Sequence, residues 1–531
     1  MERHIGTWYK ENDSTKQEVG ELIIDGNHIE FYSRFHGEVF RRAFIGSDGQ
    51  YQYKVFAEGS SKQRSNKLLE NTSSHRVSSV LMQNYPFLRG SSVSEVKEFS
   101  FSIPELINWI GTKTVSYTCT DDEEVAAYEN KLSPVLISAD NPHIELYYES
   151  KTLGSSIVQD DRTSIIIKKE PRIKVQYTQP ENMQTVIRDI ECLMQFFGLL
   201  IGSVSVAEDI RLSIDGQNLN TWLFINADFS YNAMLIDLLD RPRTYLYVIE
   251  NSLPTYYLNW QKFYNDDTYA LLRRIYFSVN EKKDIFAEDV FVQYMRSLDG
   301  YHTRISGDEE IKKKQKAALN EVKEEIRRLI FTDEGRPLFE EAMKRADPNW
   351  KCNKRHMGEI AEWIASGYLS KKSLSYRLQE LDGMFLSIIQ KNAVNIEKAT
   401  RNSQKIAGKT NEQLTQLYFK ELGDTRNYYS HYKLDNTGVL EFNQILDSIN
   451  VLKATIISIF LSHMGIEKDL IRRILVFDSE VHWQTMCLRE EADRPFEHPS
   501  RIVKAEQKSS KEENKSIWEL IKKIVRIGKR K

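Results

Sequence analysis

The sequence predicts an α+β protein of several domains, in which a β-rich N-terminal half is followed by an all-α helical bundle. Up to about residue 180, short segments alternate apolar and polar residues with the two-residue period of strands. From about residue 285 onward, apolar residues recur at helical spacing instead. The chain has 531 residues, of which 40% are hydrophobic and 11% aromatic. This is enough for two or three domains with ordinary cores.

The N-terminal domain is predicted to span residues 1–280 and to contain one inserted helix at 183–202. Strands are expected at 21–32 (two, around a Gly26 turn), 99–103, 143–148, 164–168, 173–177 and 210–229. Pro171 and Arg172 are expected to form a turn between two of them. The aromatic side chains are expected to fill the sheet core, although such rings can also stack bases or sugars; they include Trp8, Tyr9, Tyr51, Tyr53 and Trp109.

The helical bundle is predicted to span residues 285–470, and a C-terminal tail follows at 471–531. Helices are expected at 309–329, 358–369, 375–390, 411–422 and 440–464, the last ending at Gly465. The tail is expected to end in a basic amphipathic helix, with an apolar stripe that includes Trp518 and a basic face that includes Lys522. Such a helix can dock on the protein itself, on RNA or on a membrane surface, and docking on the protein is the commonest outcome.

Several classes of chemistry find no support in the residues. The net charge of −3 restricts any nucleic-acid site to a local basic patch. No phosphate-binding glycine loop, HExxH motif or paired cysteines occur, so neither a metal nor a cofactor is expected. The acidic run at 121–124 favours a solvated loop over a cation site. The longest apolar run, 192–207, is too short to span a bilayer, and no signal peptide is recognised, so a cytoplasmic protein without stable membrane association is expected.

The segment 425–432 carries the residues with the clearest chemical meaning. Arg426 can hold a phosphate through its planar, permanently charged guanidinium, and His431 can exchange a proton near neutral pH. Asn427 can orient either group by hydrogen bonds. Asn427 and His431 are four residues apart and share a helix face, while Arg426 is long enough to bend back toward them. These groups suffice for cleavage of RNA without a metal.

A helix break is predicted directly before this segment. Residues 411–422 read as an amphipathic helix, and Gly423 stands where a helix usually ends. A polar residue after it can cap a new helix, which would place Arg426 in a first turn that favours phosphate. On spacing alone, a surface arginine and a solvated histidine remain the simpler interpretation. A looser spacing of the same residue types also occurs at Arg296 and His302.

The Arg-Asn-x3-His pattern, late in a helical region, resembles the motif of HEPN-domain ribonucleases. Residues 291–302 resemble the early HEPN helix of the ApeA-like subgroup, with Asp299 where a glutamate is more usual, and 373–381 is similar to a later segment. The N-terminal half is similar as well. Gly6-Thr7-Trp8-Tyr9 and residues 99–111 resemble the domain that precedes HEPN in bacterial ApeA-type anti-phage proteins.

The resemblance implies a HEPN ribonuclease of an abortive-infection type of defence, with a sensing domain in front. Arg426, Asn427 and His431 would be catalytic in a metal-independent transesterification, with Asp299 and Tyr428 as supporting residues. It also implies a homodimer or a larger even oligomer, an RNA substrate from host or phage, with tRNA as one candidate, and a phage-derived activator. The alternative is a catalytically silent HEPN dimerisation or scaffold protein that binds RNA or protein partners.

Overall fold

The computed structural model describes residues 1–11, 13–26, 28–33, 35, 42–57, 62–64, 72–84, 95–111, 115–119, 125–129, 133–153, 166–202, 206–214, 221–225, 242–281, 285–306, 321, 324–325, 328–329, 332–346, 373–431 and 437–491. These residues divide into two compact units. The first contains those of 1–263 and 461–482 together with residue 491, and the second those of 264–460 and 483–490. The predicted order, a β-rich region followed by a helical one, is confirmed. The domain limits at 280, 285 and 470 remain predictions.

The strands lie in the first unit and are almost all joined in one antiparallel sheet. They are β1 (Glu2–Lys10), β2 (Asp13–Asp25), β3 (His28–Ser33), β4 (Arg42–Ser47), β5 (Tyr51–Ala57), β6 (Lys62–Arg64), β7 (Thr72–Asn84), β8 (Val96–Ser102), β9 (Val115–Cys119), β10 (Val125–Glu129), β11 (Val135–Ser138), β12 (His143–Leu153), β13 (Ile166–Glu181), β14 (Glu208–Ile214) and β15 (Thr221–Ile225). The described sheet order is β11-β12-β13-β8-β14-β15-β7-β3-β2-β1-β4-β5, with β6 beside β7. Strands β9 and β10 pair separately.

Six of these strands close into a small barrel, because β5 pairs with β7 as well as with β4. The ring runs β7-β3-β2-β1-β4-β5 and returns to β7, which leaves no free edge within it. Alternate side chains of each strand point inward and form one buried cluster that includes Trp8, Phe31, Phe44 and Tyr53. The predicted turn at Gly26 is confirmed, since this residue joins β2 to β3 with φ = 58°.

Two helices of the first unit, α1 (Leu106–Ile110) and α2 (Met183–Ile201), have buried apolar faces, and α2 confirms the inserted helix. Helix α2 meets the sheet where the Tyr177 hydroxyl of β13 donates to the Asp189 carboxylate at 2.7 Å. Asn182 begins α2 by accepting the Thr185 N–H at 3.0 Å. The Trp109 ring meets Phe197 of α2 edge to face at 5.5 Å. Trp109 and Trp8 of the barrel therefore both serve the core, as expected.

The predicted turn at Pro171 and Arg172 is wrong, because β13 runs through both residues without a break. Pro171 pairs with Tyr148 of β12 but lies one residue beyond the last residue that β8 pairs, Arg172. A strand tolerates proline where no ladder partner needs its missing N–H. Arg172 is fully buried, and its guanidinium donates to the Asp209 carboxylate at 2.8 Å.

The segment after the strands is helical, which the sequence analysis did not foresee for residues before 280. It forms α3 (Leu246–Ile249), a 3-10 turn at Glu250–Ser252, α4 (Leu253–Asn265) and α5 (Ala270–Glu281). The first unit also takes in later residues: the Asp478 carboxylate, which follows α13 (Lys468–Phe477), accepts a hydrogen bond from buried Arg243.

The second unit is a helical bundle. Its described helices include α5, α6 (Ala287–Ile305), α7 (Gly335–Ala346), α8 (Leu374–Met384), α9 (Ile388–Lys398), α10 (Ser403–Ile406), α11 (Asn411–His431) and most of α12 (Phe442–His463); α14 (His482–Thr485) and a 3-10 turn (Met486–Glu491) follow α13. Helix α12 confirms the helix expected at 440–464, and Gly465 follows it with φ = 84°. Among the described residues, α12 alone is long and apolar enough to cross a membrane. It is 72% buried over its most apolar stretch, as a core helix is.

The helix predicted at 375–390 is in fact two helices. Chain direction changes at 385–387, where Ser387 has φ = 54°. Buried Asp382 fixes this break, because its carboxylate accepts the N–H groups of Ile389 and Gln390 at 3.0 and 2.8 Å and so begins α9. The helix at 358–369, most of 309–329, the acidic run at 121–124 and the tail helix with Trp518 and Lys522 lie outside the described residues.

Candidate functional site at the end of helix α11

The predicted helix break at Gly423 is wrong, because α11 continues from Asn411 to His431. Gly423 serves a packing role instead. A Cβ atom added there would lie 3.3 Å from the Ser375 Oγ and 4.0 Å from the Leu374 Cδ2 of helix α8. The missing side chain lets α8 and α11 approach closely, so the glycine marks a helix contact and not a helix end.

This continuity changes the electrostatics expected of the motif. Arg426 and Asn427 are not first-turn residues, so they offer no free backbone N–H groups to a phosphate. They lie near the C-terminal end of α11, where the helix dipole is negative and favours cations. A phosphate at this end must therefore be held by side chains, and the guanidinium of Arg426 is the strongest such group.

Arg426 is turned toward its neighbour on the helix. One terminal N–H of its guanidinium donates to the Asn427 Oδ1 at 3.1 Å. The Arg426 Nε is buried and has no hydrogen-bond partner among the described residues. This N–H can donate to an acceptor such as a phosphate oxygen. The same feature occurs at Arg172 and Arg377, which hold structural ion pairs, so it supports a phosphate site only together with the position of Arg426 beside Asn427.

His431 closes the helix and is exposed to solvent. No hydrogen bond joins its ring to any residue that the structure describes. At about 100° per residue, it lies roughly 40° around the helix from Asn427 and about 140° from Arg426. Asn427 therefore stands on the histidine's face and also binds the arginine, which brings the three side chains toward one end of α11.

Two tyrosines and an acidic helix start border this end. Tyr428 and Tyr429 meet edge to face, with ring centroids 5.0 Å apart. Burial and the nearby charge of Glu288 raise the pKa of Tyr429 above its usual value. Glu288 is in the first turn of α6, so the start of α6 lies beside the end of α11.

Asp299, predicted as a supporting residue, is not brought to the motif. It lies eleven residues along α6 from Glu288, which is about 16 Å of helix. Its carboxylate forms an ion pair at 3.0 Å with Arg377 of α8, and Arg377 also donates to the Thr303 hydroxyl at 3.2 Å. Asp299 thus joins α6 to α8, and any catalytic role for it stays a prediction.

Buried polar contacts hold α11 in place before the motif. The Lys405 ammonium contacts the Glu421 and Glu397 carboxylates at 2.5 and 3.1 Å. Burial, together with repulsion from Glu397, raises the pKa of Glu421 to about 7, although Lys405 opposes this. One turn later, the Thr425 hydroxyl accepts the N–H of Leu440 at 2.9 Å. These contacts fix the helix from which Arg426 projects.

A groove runs from the motif along α11, and the sequence analysis did not identify it. It has a volume of about 580 Å³ and lies between residues 373–379 of α8 and the face of α11 that carries Gln416, Lys420 and Asn427. The sequence does carry a pattern that predicts this groove. If α11 is taken as unbroken, polar residues recur every three or four positions up to His431. The assumed break at Gly423 hid that stripe.

Among the described residues, no group of three or more His, Cys, Asp or Glu side chains is placed to hold a metal ion. Of the four cysteines in the sequence, Cys192 is buried and Cys487 half-buried, and both are free thiols. The described site therefore consists of Arg426, Asn427 and His431 at one helix end, with the groove beside them.

A β-rich domain followed by a helical bundle that ends a long helix in Arg-Asn-x3-His defines a HEPN-domain protein with an N-terminal partner domain. Residues 3–260 match the family model described as ApeA N-terminal domain 1, and residues 292–470 match the Apea-like HEPN model. The chain belongs to the ApeA-type HEPN-domain anti-phage proteins. No curated protein and no solved structure matches it.

Proposed function

We propose that this protein is a metal-independent endoribonuclease whose activity contributes to anti-phage defence. The observation that carries the proposal is the end of α11. There Asn427 binds the Arg426 guanidinium, whose Nε has no described partner, and His431 is exposed on the same face as Asn427. A phosphate held by Arg426 would lie within reach of the His431 imidazole, which can accept or donate a proton.

The chemistry is a transesterification within the RNA. His431 accepts the proton of a ribose 2′-OH, and the 2′ oxygen attacks the adjacent phosphorus. The P–O2′ bond forms as the P–O5′ bond breaks, and the departing 5′ oxygen takes up a proton from an acid. The products are a 2′,3′-cyclic phosphate and a 5′-OH. Arg426 stabilises the negative charge that grows on the phosphoryl oxygens, and Asn427 holds Arg426 in position.

A homodimer, or a larger even assembly, would complete this site. The reaction uses one base and one acid, and each α11 end offers one histidine, so two copies of the chain supply both. Phe286, the residue that begins α6 beside the end of α11, is 79% exposed. A dimer interface at this end would bury its apolar side chain. Replacing Phe286 by Asp should therefore weaken the dimer, as measured by sedimentation.

The biological role follows from the family. Cleavage of host or phage RNA, with tRNA as one candidate, would stop phage growth in an abortive-infection response within the cytoplasm. The N-terminal domain would restrain the nuclease and respond to a phage-derived activator. Control of this kind requires the activator to bind the resting and active states with different free energies.

The experiment is cleavage of cellular RNA by the purified protein with EDTA present, followed by analysis of the ends. We expect cyclic-phosphate and 5′-OH ends from the wild type and none from His431→Ala. Loss of cleavage in EDTA together with 5′-phosphate ends would contradict the mechanism. If the wild type cleaves no RNA, and His431→Ala still protects cells from phage, the alternative of a silent dimerisation or scaffold protein stands.

A further inference from the structure

The groove beside Asn427 indicates what the nuclease would bind next to the phosphate that it cleaves. Its volume of about 580 Å³ falls in the roughly 300–1,000 Å³ range of small-ligand pockets. We propose that it binds one base of single-stranded RNA, adjacent to the cleaved phosphate, and so sets the base preference of cleavage. This inference rests on the proposed ribonuclease function.

The groove and the motif share one face of α11. Gln416, Lys420, Asn427 and His431 follow one another at spacings of four, seven and four residues, which keeps them in one stripe. Asn427 belongs to both places, since it lines the groove and accepts a hydrogen bond from Arg426 at 3.1 Å. A nucleotide in the groove therefore has its phosphate at the arginine.

Two glutamines across the groove have the chemistry to recognise a base edge. The Gln379 side chain of α8 donates to that of Gln416 on α11 at 3.0 Å. This bond uses one donor and one acceptor, and it leaves the pair with an acceptor on one amide and a donor on the other. Single-stranded RNA is read through hydrogen bonds to just such donor and acceptor edges of unstacked bases.

An aromatic ring and a positive charge complete the nucleotide site. Tyr376 lines the groove with 48% of its surface exposed, and an exposed aromatic residue of this kind can stack on a base. Lys420 is exposed and forms no ion pair with any described residue, so its charge can bind the RNA backbone, while Asp424, which also lines the groove, carries the opposite charge. Gly423 also lines the groove and adds no side chain to fill the space.

The test compares cleavage of short RNAs that are randomised on both sides of the cut. The wild type should prefer certain bases at one flanking position. In a Gln379→Ala, Gln416→Ala double variant, that preference should flatten and KM should rise about tenfold, as expected for two lost hydrogen bonds, while kcat changes much less. Tyr376→Ala should raise KM by about five- to a hundredfold. Lys420→Ala should make KM depend less on the salt concentration.

The matched controls are Gln390→Ala and Lys398→Ala, two exposed residues of α9 outside the groove. Both should keep the wild-type KM and base preference. A wild type that cleaves RNA and a double variant with unchanged KM and preference would overturn the groove assignment but not the nuclease. If the double variant sediments as a monomer where the wild type is a dimer, the groove belongs to the subunit interface and the proposal is wrong. A wild type that cleaves no RNA overturns the proposed function itself.

Discussion

Two histidines show how differently the barrel and the end of α11 use the same side chain. His75 is buried among the barrel's aromatic rings, and its Nε2 lies 2.8 Å from the Ser33 hydroxyl. Burial lowers its pKa to about 4, so it stays neutral at physiological pH. His431 is exposed and has no described partner. The barrel histidine is fixed by its surroundings, whereas the helix-end histidine is open to a proton and a ligand.

Two arginines repeat the contrast. Arg172 in the sheet is fully buried, and its guanidinium donates both to the carboxylate and to the backbone oxygen of Asp209, at 2.8 and 2.6 Å. Arg426 has one described bond, to its neighbour Asn427, and a buried Nε without a partner. The Arg172 Nε is buried without a described partner as well. What separates the two regions is the terminal N–H groups: those of Arg172 bind carboxylate and backbone oxygens of other strands, whereas the one described bond of Arg426 goes to the next residue of its own helix.

The largest expected effect concerns activity at the helix end. Arg426→Ala and His431→Ala should each lower the rate of RNA cleavage by about 10²–10⁴-fold, because one removes charge stabilisation and the other proton transfer. Neither should change the thermal unfolding midpoint appreciably, since neither side chain holds the core. Cleavage rates and calorimetry of the same preparations check both statements.

A matched control separates this from a general effect of losing a histidine. His28 of β3 is also exposed and lies far along the chain from the motif. We expect His28→Ala to cleave RNA at the wild-type rate. Full activity in His431→Ala would show that the open histidine is not the catalytic one.

The next effect is on stability and belongs to the sheet. Arg172→Met should lower the free energy of unfolding by about 3 kcal/mol, because it removes one of the two arginines that bind the half-buried Asp209 and Glu149 carboxylates. Arg211 also bonds Asp209 and Glu149, and this limits the loss. Urea unfolding gives the value. A variant as stable as the wild type would mean that the Arg172 network does not hold the sheet, and the contrast with Arg426 would fail.

A smaller effect depends on pH and concerns Glu421. Its folded pKa of about 7 lies above its ordinary value of 4.5, so between these values the folded state holds a proton that the unfolded state has lost. Stability should therefore fall as pH rises through this window, by at most about 1.4 kcal/mol per pH unit. Glu421→Gln, which resembles the protonated form, should melt like the wild type near pH 5 and higher than it near pH 8.

The control for this prediction is Glu412→Gln, an exposed carboxylate in the first turn of the same helix. The difference in melting temperature between Glu412→Gln and the wild type should be the same near pH 5 and near pH 8. Asp382, whose pKa burial raises to about 6, also contributes to the wild-type curve, so only the difference between variant and wild type isolates Glu421. If that difference does not change with pH, the Glu421 carboxylate is already ionised near pH 5.

Local patterns sufficed for part of the fold and of the site. Strand alternation, the Gly26 turn, the helix at 183–201 and the long helix at 442–463 follow from local periodicity, and so does the placement of Asn427 and His431 on one face. Barrel closure could not be predicted in this way. It depends on the pairing of β5 with β7, and the side chains of both segments alternate as in any strand, so the sequence does not show which strands pair. The predicted turn at Pro171 was wrong because a strand tolerates this proline only where β8 no longer pairs with β13, and local sequence does not show where β8 ends. The wrong helix break and the missed groove have one cause, the interpretation of Gly423 as a helix end. Its role depends on a contact with Ser375, which is 48 residues away in sequence.

The smallest expected effect decides between these two interpretations of Gly423. If the glycine ended a helix in the left-handed region, Gly423→Ala would be destabilising by about 1 kcal/mol. Because α11 runs through it, alanine should instead gain helix propensity, worth up to about 1 kcal/mol. The added Cβ would lie 3.3 Å from the Ser375 Oγ, the end of a side chain that can rotate away. We therefore expect a net gain of a few tenths of a kcal/mol.

Gly438→Ala is the control. Gly438 has φ = 79°, and a Cβ atom there would lie 3.0 Å from the Asp424 Oδ2, so this substitution should destabilise the protein. Equal losses in the two variants, with the loss in Gly423→Ala persisting when Ser375 is also replaced by alanine, would restore the helix end at Gly423 and remove the continuous face on which groove and motif lie.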